Sequence, residues 1–326
     1  MEKISIIIPI FNSENTIKET LNSLQKQTYT CWEAICVDDG SIDSSREIIT
    51  RYSKTDNRIK YVKRDSEQKG GSACRNIGAS IATGDFLIFL DSDDVLAPSC
   101  VENRLNVIEP SEYDFVVFPI GYFDHDVKKY TITNNLYSKN HFLRFASGSP
   151  TWQTMQPIYR KDIVEKLGGF DARFPRYQDV EFGIRAMLIS KYNIVKDANP
   201  DCFLRMSGNS GYITVSKAKS SLLATTYLLE LLCGIKQQTR LSNLGIALLG
   251  LYAHLIAFRH KVGITTPLIK DFENPISKIV TEELHGVPKY ICSFIGNMKP
   301  SFFSRVILRI LSKSLDIILD NNLLIR

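Results

Sequence analysis

The sequence predicts an α/β protein organised on a largely parallel sheet, and three observations carry that reading. Short apolar runs alternate with amphipathic helical segments over residues 1–95. Two of those runs end in clustered carboxylates, Asp38-Asp39-Gly40-Ser41 and Asp91-Ser92-Asp93-Asp94. Beyond residue 216 the chain turns into long stretches with few turn residues, which predicts a helical C-terminal region.

Taken in order, residues 4–8 form a β-branched run closed by Pro9, the pattern of a buried parallel strand. Residues 13–27 carry Ile17, Leu21 and Leu24 at helical spacing. The next strand is expected at 32–37, running into the Asp38-Asp39 turn, and a helix at 43–52 with an Asp or Ser N-cap. A short strand follows at 59–62. Residues 72–82 read as a helix that stops before Gly84, and 86–90 as a fourth apolar strand ending in Asp91-Ser92-Asp93-Asp94. In such sheets ligands bind beyond the carboxyl ends of the strands, so both acidic turns fall on one binding rim.

From 95 to 179 the pattern loosens: a strand is expected at 115–119, a short helix at 141–147 and a loop at Ser149-Pro150-Thr151-Trp152. Residues 217–261 read as two helices broken near Arg240-Leu241-Ser242-Asn243, and 302–324 as a third with Arg305, Arg309 and Lys313 among Ile and Leu. The stretch 241–258 has no Asp, Glu, Lys or Arg, near the lower length limit for a membrane span, but Ser242, Asn243 and His254 favour a packed core helix or a dimer face. The 302–324 segment suits either peripheral contact with an anionic membrane or packing on the rest of the chain.

Composition narrows the function classes. With 326 residues, 44% hydrophobic and 23% charged, the chain has material for a full core and does not read as disordered. A formal charge of +5 from 40 basic and 35 acidic residues suits an anionic ligand or membrane surface and does not imply nucleic acid. The seven cysteines contain no C-x-x-C pair, which fits reduced thiols in a cytoplasmic protein. The N-terminal apolar run reads as a strand, not a leader. His125, His141, His254, His260 and His285 show no metal-ligand spacing, and the nucleophile-elbow and P-loop motifs are missing, so hydrolase and P-loop chemistries fall away.

The residues that remain chemically suggestive each have a structural alternative. Asp91, Asp93 and Asp94 at a strand end suit a hard divalent cation that shares its shell with substrate phosphates, or they cap the strand. A carboxylate of the Asp38-Asp39-Gly40-Ser41 turn suits the N3–H of a uracil, or the segment is an ordinary Asp-Gly connector. Arg75, following Gly70-Gly71, suits a phosphate or a base, or is a solvated helix arginine. Asp179, at the start of a helix, is a general base or an N-cap. Trp152 stacks on a sugar ring or fills the core.

Together these segments resemble the family 2 glycosyltransferases. Ile4-Ser5-Ile6-Ile7-Ile8-Pro9-Ile10-Phe11-Asn12 looks like the family's opening strand and Val37-Asp38-Asp39-Gly40-Ser41 like its base-binding turn. Ala73-Cys74-Arg75-Asn76-Ile77-Gly78, followed by Gly84-Asp85-Phe86-Leu87-Ile88-Phe89-Leu90-Asp91-Ser92-Asp93-Asp94, looks like its donor helix and D-x-D strand. The resemblance spans residues 3–210. It implies a GT-A fold, a Rossmann-like mixed sheet, over residues 1–215, with a nucleotide-sugar and metal half at 1–95 and an acceptor half at 96–215; the helical region at 216–326 falls outside it. It also implies a nucleotide-sugar donor with Mg²⁺ or Mn²⁺. Pro9 and Asp39 then line the base pocket, Phe11 belongs to the nucleotide-sugar site, Arg75 meets the nucleotide, Asp91 and Ser92 the ribose side, and Asp93 the metal, with Asp91 or Asp94 as further ligands. Gly168-Gly169-Phe170-Asp171 and Gln178-Asp179-Val180-Glu181-Phe182 look like the acceptor-side segments, which gives Asp179 the base role and sets Gln178 and Glu181 beside the acceptor; Trp152, in the loosely patterned stretch 152–156, is the further acceptor-side candidate.

Two departures stand out. Gln178 replaces the glutamate that many relatives carry before the base, and Arg205-Met206-Ser207 lacks the histidine of the family's Arg-x-His segment, leaving Arg205, Asn209 or Ser210 to replace it. The expectation is therefore inverting sugar transfer, from a UDP-sugar foremost, to a glycan or lipid-linked saccharide in surface polysaccharide synthesis, at the inner face of a membrane. The alternatives are a non-catalytic nucleotide-binding or scaffolding relative, and a nucleotide-sugar nucleotidyltransferase, whose glycine-rich loop is missing here.

Overall fold

In the computed structural model, which describes residues 1–133, 135–206 and 215–238, the N-terminal run forms β1 (Ile4–Ile10). Successive side chains of a strand point to opposite faces. Ile4, Ile6, Ile8 and Ile10 thus enter a core shared with Ile17, Leu21 and Leu24 of α1 (Ile17–Gln25) and Ile49 of α2 (Ser45–Thr55). Ile7 turns the other way, against α3 (Gly71–Ile81), where a Cβ on Gly78 would lie 2.3 Å from Ile7 Cγ2. Glycine at 78 is what lets α3 seat directly on β1.

β1 lies between β2 (Trp32–Asp38) and β4 (Phe86–Phe89), both parallel to it, and β3 (Ile59–Lys63) extends the sheet beyond β2. The chain therefore grows to one side of β1 and then switches to the other, and the crevice at such a switch is where open α/β sheets bind ligands. Pairing of β1 with β4 ends at Ile7 and Phe89, whereas pairing with β2 runs on to Ile10 and Asp38. Pro9, expected to close the strand, sits instead inside it, in the stretch paired on one side only, where its missing N–H costs no ladder bond.

After β4 the sheet changes character. β9 (Pro157–Arg160), which runs directly into α6 (Lys161–Lys166), inserts antiparallel between β4 and β6 (Phe115–Val117), and β10 (Tyr192–Ile194) adds parallel to β6. The seven-stranded order is β10-β6-β9-β4-β1-β2-β3, a mixed sheet in which β9 alone among the described strands runs against the rest. A second sheet holds β5 (Val95–Leu96), β11 (Cys202–Arg205), β7 (Ile120–Phe123) and β8 (Thr131–Ile132) in that order. Buried Arg104 of α4 (Cys100–Ile108) ties this half together, gripping Asp201 at 2.9 and 2.7 Å and the Met155 carbonyl at 2.7 Å. A guanidinium fork matched to one carboxylate satisfies both buried charges at once.

The chain divides into two compact units. The first, Met1–Tyr137, Trp152–Ala172 and Arg185–Gly211, holds both sheets; the second is Ser138–Thr151, Arg173–Ile184 and Tyr212–Arg326. The second unit thus recruits segments from well before the boundary expected at 215. Within it, α5 (His141–Ala146) is capped by Asn140, whose side chain accepts from Leu143 N at 3.0 Å. Phe145 packs against Gly183 of α7 (Gln178–Ile189), and Tyr227 of α8 (Val215–Gln238) meets the Phe174 ring and the Arg173 guanidinium. The helix break expected at 240–243, the apolar stretch 241–258 and the helix at 302–324 lie outside the described residues. Among the described residues no helix is long and apolar enough to cross a membrane.

Candidate active site

The carboxyl ends of β1, β2 and β4 and the N-terminus of α3 converge on a cleft of about 220 Å³. Pro9, Phe11, Asp39, Asp91, Ser92 and Asp93, all expected at the donor site from the sequence, line this one cleft, joined by Ile10, Gly71 and Cys74. Arg75 borders it through Asp91, to which its guanidinium donates. Phe11 is 60% exposed at the rim, held there by lacing between the end of β1 and the β2 turn: Asn12 N donates to Ser41 Oγ and Ile42 N to Asn12 Oδ1, each at 3.0 Å.

The first acidic turn is internally satisfied. Asp38 is buried and accepts from Ser41 N at 2.8 Å, Ser41 Oγ at 2.6 Å and Tyr61 Oη at 2.7 Å. Burial alone would raise its carboxyl pKa, but the Ser41 and Tyr61 donors outweigh that and hold it below the usual value. Asp39 accepts from Arg64 Nε at 2.5 Å and from Gly70 N at 2.9 Å, so the loop after β3 closes onto it. Gly70 takes φ +96°, which a side chain would disfavour. Nothing in the sequence marked Arg64: it sits among alternating charges, and its partner lies on another strand end.

The second turn is not balanced in this way. Ser92 is anchored, its hydroxyl 2.7 Å from Ser13 Oγ and its carbonyl accepting from Thr20 Oγ1 at 3.1 Å. Asp94 turns inward, only 4% exposed, and accepts from Arg205 N at 2.9 Å. Asp93 faces solvent at the cleft. Partial desolvation there, then the adjacent Asp91 charge, push the Asp93 carboxyl above its usual value; burial, then Asp91 and Asp93, push Asp94 well above it. Arg205, at the position of the departed Arg-x-His motif, opposes both shifts: its Nε donates to the Asp93 carbonyl at 3.0 Å, and its guanidinium pairs with Glu19 and lies 4.5 Å from the Phe123 ring centre. Asn209 and Ser210 lie outside the described residues.

Among the described residues no group of three or more His, Cys, Asp or Glu side chains stands arranged for a metal ion. The donor set on offer is smaller: exposed Asp93 beside Asp91, two hard oxygen donors whose mutual repulsion a cation would relieve. That fits Mg²⁺ or Mn²⁺ held by one or two carboxylates, with substrate phosphates and water completing the shell.

Of the acceptor-side residues, Gln178, Asp179 and Glu181 belong to the second unit, and Trp152 and residues 168–171 to the first. α7 begins at Gln178, so Asp179 lies inside the first helical turn and is not its N-cap; it is half-buried, while Glu181 is 2% exposed. Gln178 Nε2 donates to the Phe174 carbonyl at 3.4 Å. Trp152 is 3% exposed and packs near Phe115 and Tyr192, each with ring centres 6.3 Å away. Core packing is the role the structure gives it.

Residues 5–168 match the sequence profile described as Glycosyl transferase family 2. The chain belongs to this family. One relative is the glycosyltransferase GlyG of Streptococcus pneumoniae serotype 4, 35% identical over 126 residues; the match covers 38% of this chain and 40% of GlyG, so the chain spans less than half the length of that protein. Another is the Escherichia coli UDP-Glc:alpha-D-GlcNAc-diphosphoundecaprenol beta-1,3-glucosyltransferase WfaP, 26% identical over 80% of this chain and 99% of WfaP. Similar solved structures include S. aureus TarS in complex with UDP-GlcNAc, with a TM-score of 0.60 and 17% identity over 97% of this chain and 91% of that one. The mannosyltransferase PcManGT from Pyrobaculum calidifontis, in complex with GDP-Man and Mn²⁺, gives a TM-score of 0.54 at 14% identity, over 98% of this chain and 86% of that one. These likenesses establish the GT-A fold for the family 2 chain described here.

Proposed function

We propose that the chain is an inverting glycosyltransferase that moves a sugar from a nucleoside-diphosphate donor, a UDP-sugar foremost, to a hydroxyl of a glycan or lipid-linked saccharide. The observation that carries the reading is the convergence of Pro9, Phe11, Asp39, Asp91 and Asp93 on one cleft at the β1–β4 switch point. Asp39, fixed by Arg64 and Gly70, presents a carboxylate that accepts a uracil N3–H, while Phe11 offers an exposed ring at the rim. Arg75 supplies the cation for the nucleotide. Asp93, with Asp91, would hold a divalent cation, which when bound would supply Lewis-acid stabilisation of diphosphate charge. Asp179 is assigned the base that takes the acceptor proton, since a single displacement with inversion needs one base and no covalent intermediate. The names of WfaP and of the TarS complex support uridine nucleotides, and WfaP's name supports a lipid-linked acceptor.

The test is isothermal titration with UDP, GDP, dTDP and ADP, each with and without Mn²⁺, on the wild type and on Asp93→Ala, followed by a nucleotide-release assay with the matching sugar donor. Metal-dependent binding of one nucleotide, lost in the variant and followed by turnover, supports the reading. Binding without turnover, abolished or not by the substitution, points to a non-catalytic relative.

A further inference from the structure

The Gly168-Gly169-Phe170 segment, which by resemblance belongs to the acceptor side, is built into the support of the donor cleft. Asn76, the residue after Arg75 on α3, grips it from both ends of one amide group: its Nδ2 donates to the Phe170 carbonyl and its Oδ1 accepts from Phe170 N, both at 2.8 Å. One side chain thereby satisfies both backbone groups of Phe170, as a neighbouring strand would. Gly169 takes φ +74°, and a Cβ there would fall 2.4 Å from Asn76 Oδ1, so the loop approaches α3 this closely only with glycine. Arg185 fastens the same loop, donating to the carbonyls of Leu167 at 2.6 Å and Gly169 at 2.7 Å.

Held in this way, Phe170 is 4% exposed and stands edge-on to Phe89 of β4, with ring centres 4.9 Å apart at 90°. Its ring also lies beneath Arg75, with the guanidinium carbon 5.4 Å from the ring centre. Arg75 in turn reaches Asp91 on the cleft wall. An aromatic face under a planar guanidinium stabilises the cation and removes competing side-chain orientations, which favours a donor fork already aimed when the anion arrives.

We propose that the Asn76–Phe170 clasp positions Arg75 for the donor nucleotide, so that Phe170 and Asn76 are positioning residues of the donor site. The inference rests on the reading that the cleft holds a nucleoside diphosphate. Its test is isothermal titration of UDP with Mn²⁺ against the wild type, Phe170→Leu, Phe170→Tyr, Asn76→Ala, Arg75→Met and the Phe170→Leu/Arg75→Met double variant, with thermal midpoints alongside.

Phe170→Leu keeps the apolar volume and removes the aromatic face, and is expected to weaken UDP about fivefold. Asn76→Ala is expected to do the same, while Phe170→Tyr stays within about twofold because the face remains. In the Arg75→Met background the Phe170→Leu change is expected to cost no further affinity, because its effect passes through Arg75. If Phe170→Leu lowers the thermal midpoint but leaves UDP affinity intact, or weakens UDP as much without Arg75 as with it, the clasp is structural and the inference is overturned. A wild type that binds none of UDP, GDP, dTDP and ADP defeats the nucleotide reading itself, a result distinct from wild-type binding that the variants leave untouched; if another of these nucleotides binds in place of UDP, the variants are titrated with that one.

Discussion

The two acidic turns of the cleft have nearly the same composition and opposite electrostatics. At the end of β2, Asp38 and Asp39 are met by Ser41, Tyr61, Arg64 and the Gly70 amide, so the turn is complete without any ligand. At the end of β4, Asp91, Asp93 and Asp94 crowd together with Arg75 and Arg205 as their nearby cations, and the Asp93 and Asp94 carboxyls are pushed upward. The difference teaches that clustered aspartates are not one kind of feature. Where backbone and hydroxyl donors surround them they form a fixed, internally satisfied edge; where they face each other their charges repel and push the carboxyl pKa values up.

That contrast can be broken at either turn. The largest effect is expected from Asp93→Ala, which should weaken Mn²⁺-dependent nucleotide binding and sugar transfer at least about 100-fold while leaving the fold intact; titration and circular dichroism on the same sample check both halves. Asp38→Ala should act the other way round, costing about 2 kcal/mol of stability by stranding the Ser41 and Tyr61 donors, read as a shift in urea midpoint. Asp39→Asn, which keeps the shape and exchanges an acceptor for an amide, should weaken UDP about tenfold and CDP less, measured by competition.

The pH dependence of stability sharpens the comparison further. Asp38 has a folded pKa below the usual 3.8, so its contribution is complete above that value and is lost as the pH falls through the lower folded one. Asp93 has a raised folded pKa, so the native state holds the extra proton between 3.8 and that higher value, and metal-free stability declines as the pH rises across the window. Urea midpoints taken through the window should show this decline shrinking in Asp93→Asn. The smallest effect is expected from Glu19→Gln, which removes the half-exposed partner of Arg205 and should cost about 0.5 kcal/mol or less by thermal denaturation.

Much of the parallel half was legible because its signals are local. The Ile run of β1, the Phe86–Phe89 run of β4 and the Leu21–Leu24 spacing of α1 each declare their type within a few residues, and the acidic turns mark the strand ends. β9 was not foreseen: it begins with Pro157, is four residues long, and owes its place to β4 and β6 on either side. The two residues of β5 and the four of β11 likewise have no pattern to read, only partners. At the cleft, Pro9, Phe11, Asp39, Asp91, Ser92 and Asp93 converge as their local signatures suggested, while Arg64 and Asn76 were not assigned roles, because their partners Asp39 and Phe170 lie 25 and 94 positions away. Trp152 was read as a sugar platform or a core residue, and periodicity in so loose a stretch offered no means of choosing.

The insertion of β9 also bears on how the chain reaches its native state. β4 is Phe-Leu-Ile-Phe, fully buried between β1 and β9 in the finished sheet. Its partner on one side is made long before it, but Pro157–Arg160 emerges from the ribosome only after roughly 70 further residues, about 3–14 seconds at ordinary translation speeds. Throughout that interval the nascent sheet carries a naked, aromatic-rich margin open to foreign strands. Chaperone occupancy during synthesis should therefore peak between the appearance of β4 and that of β9, and a ribosome stalled in that span should yield the most aggregation-prone nascent chain.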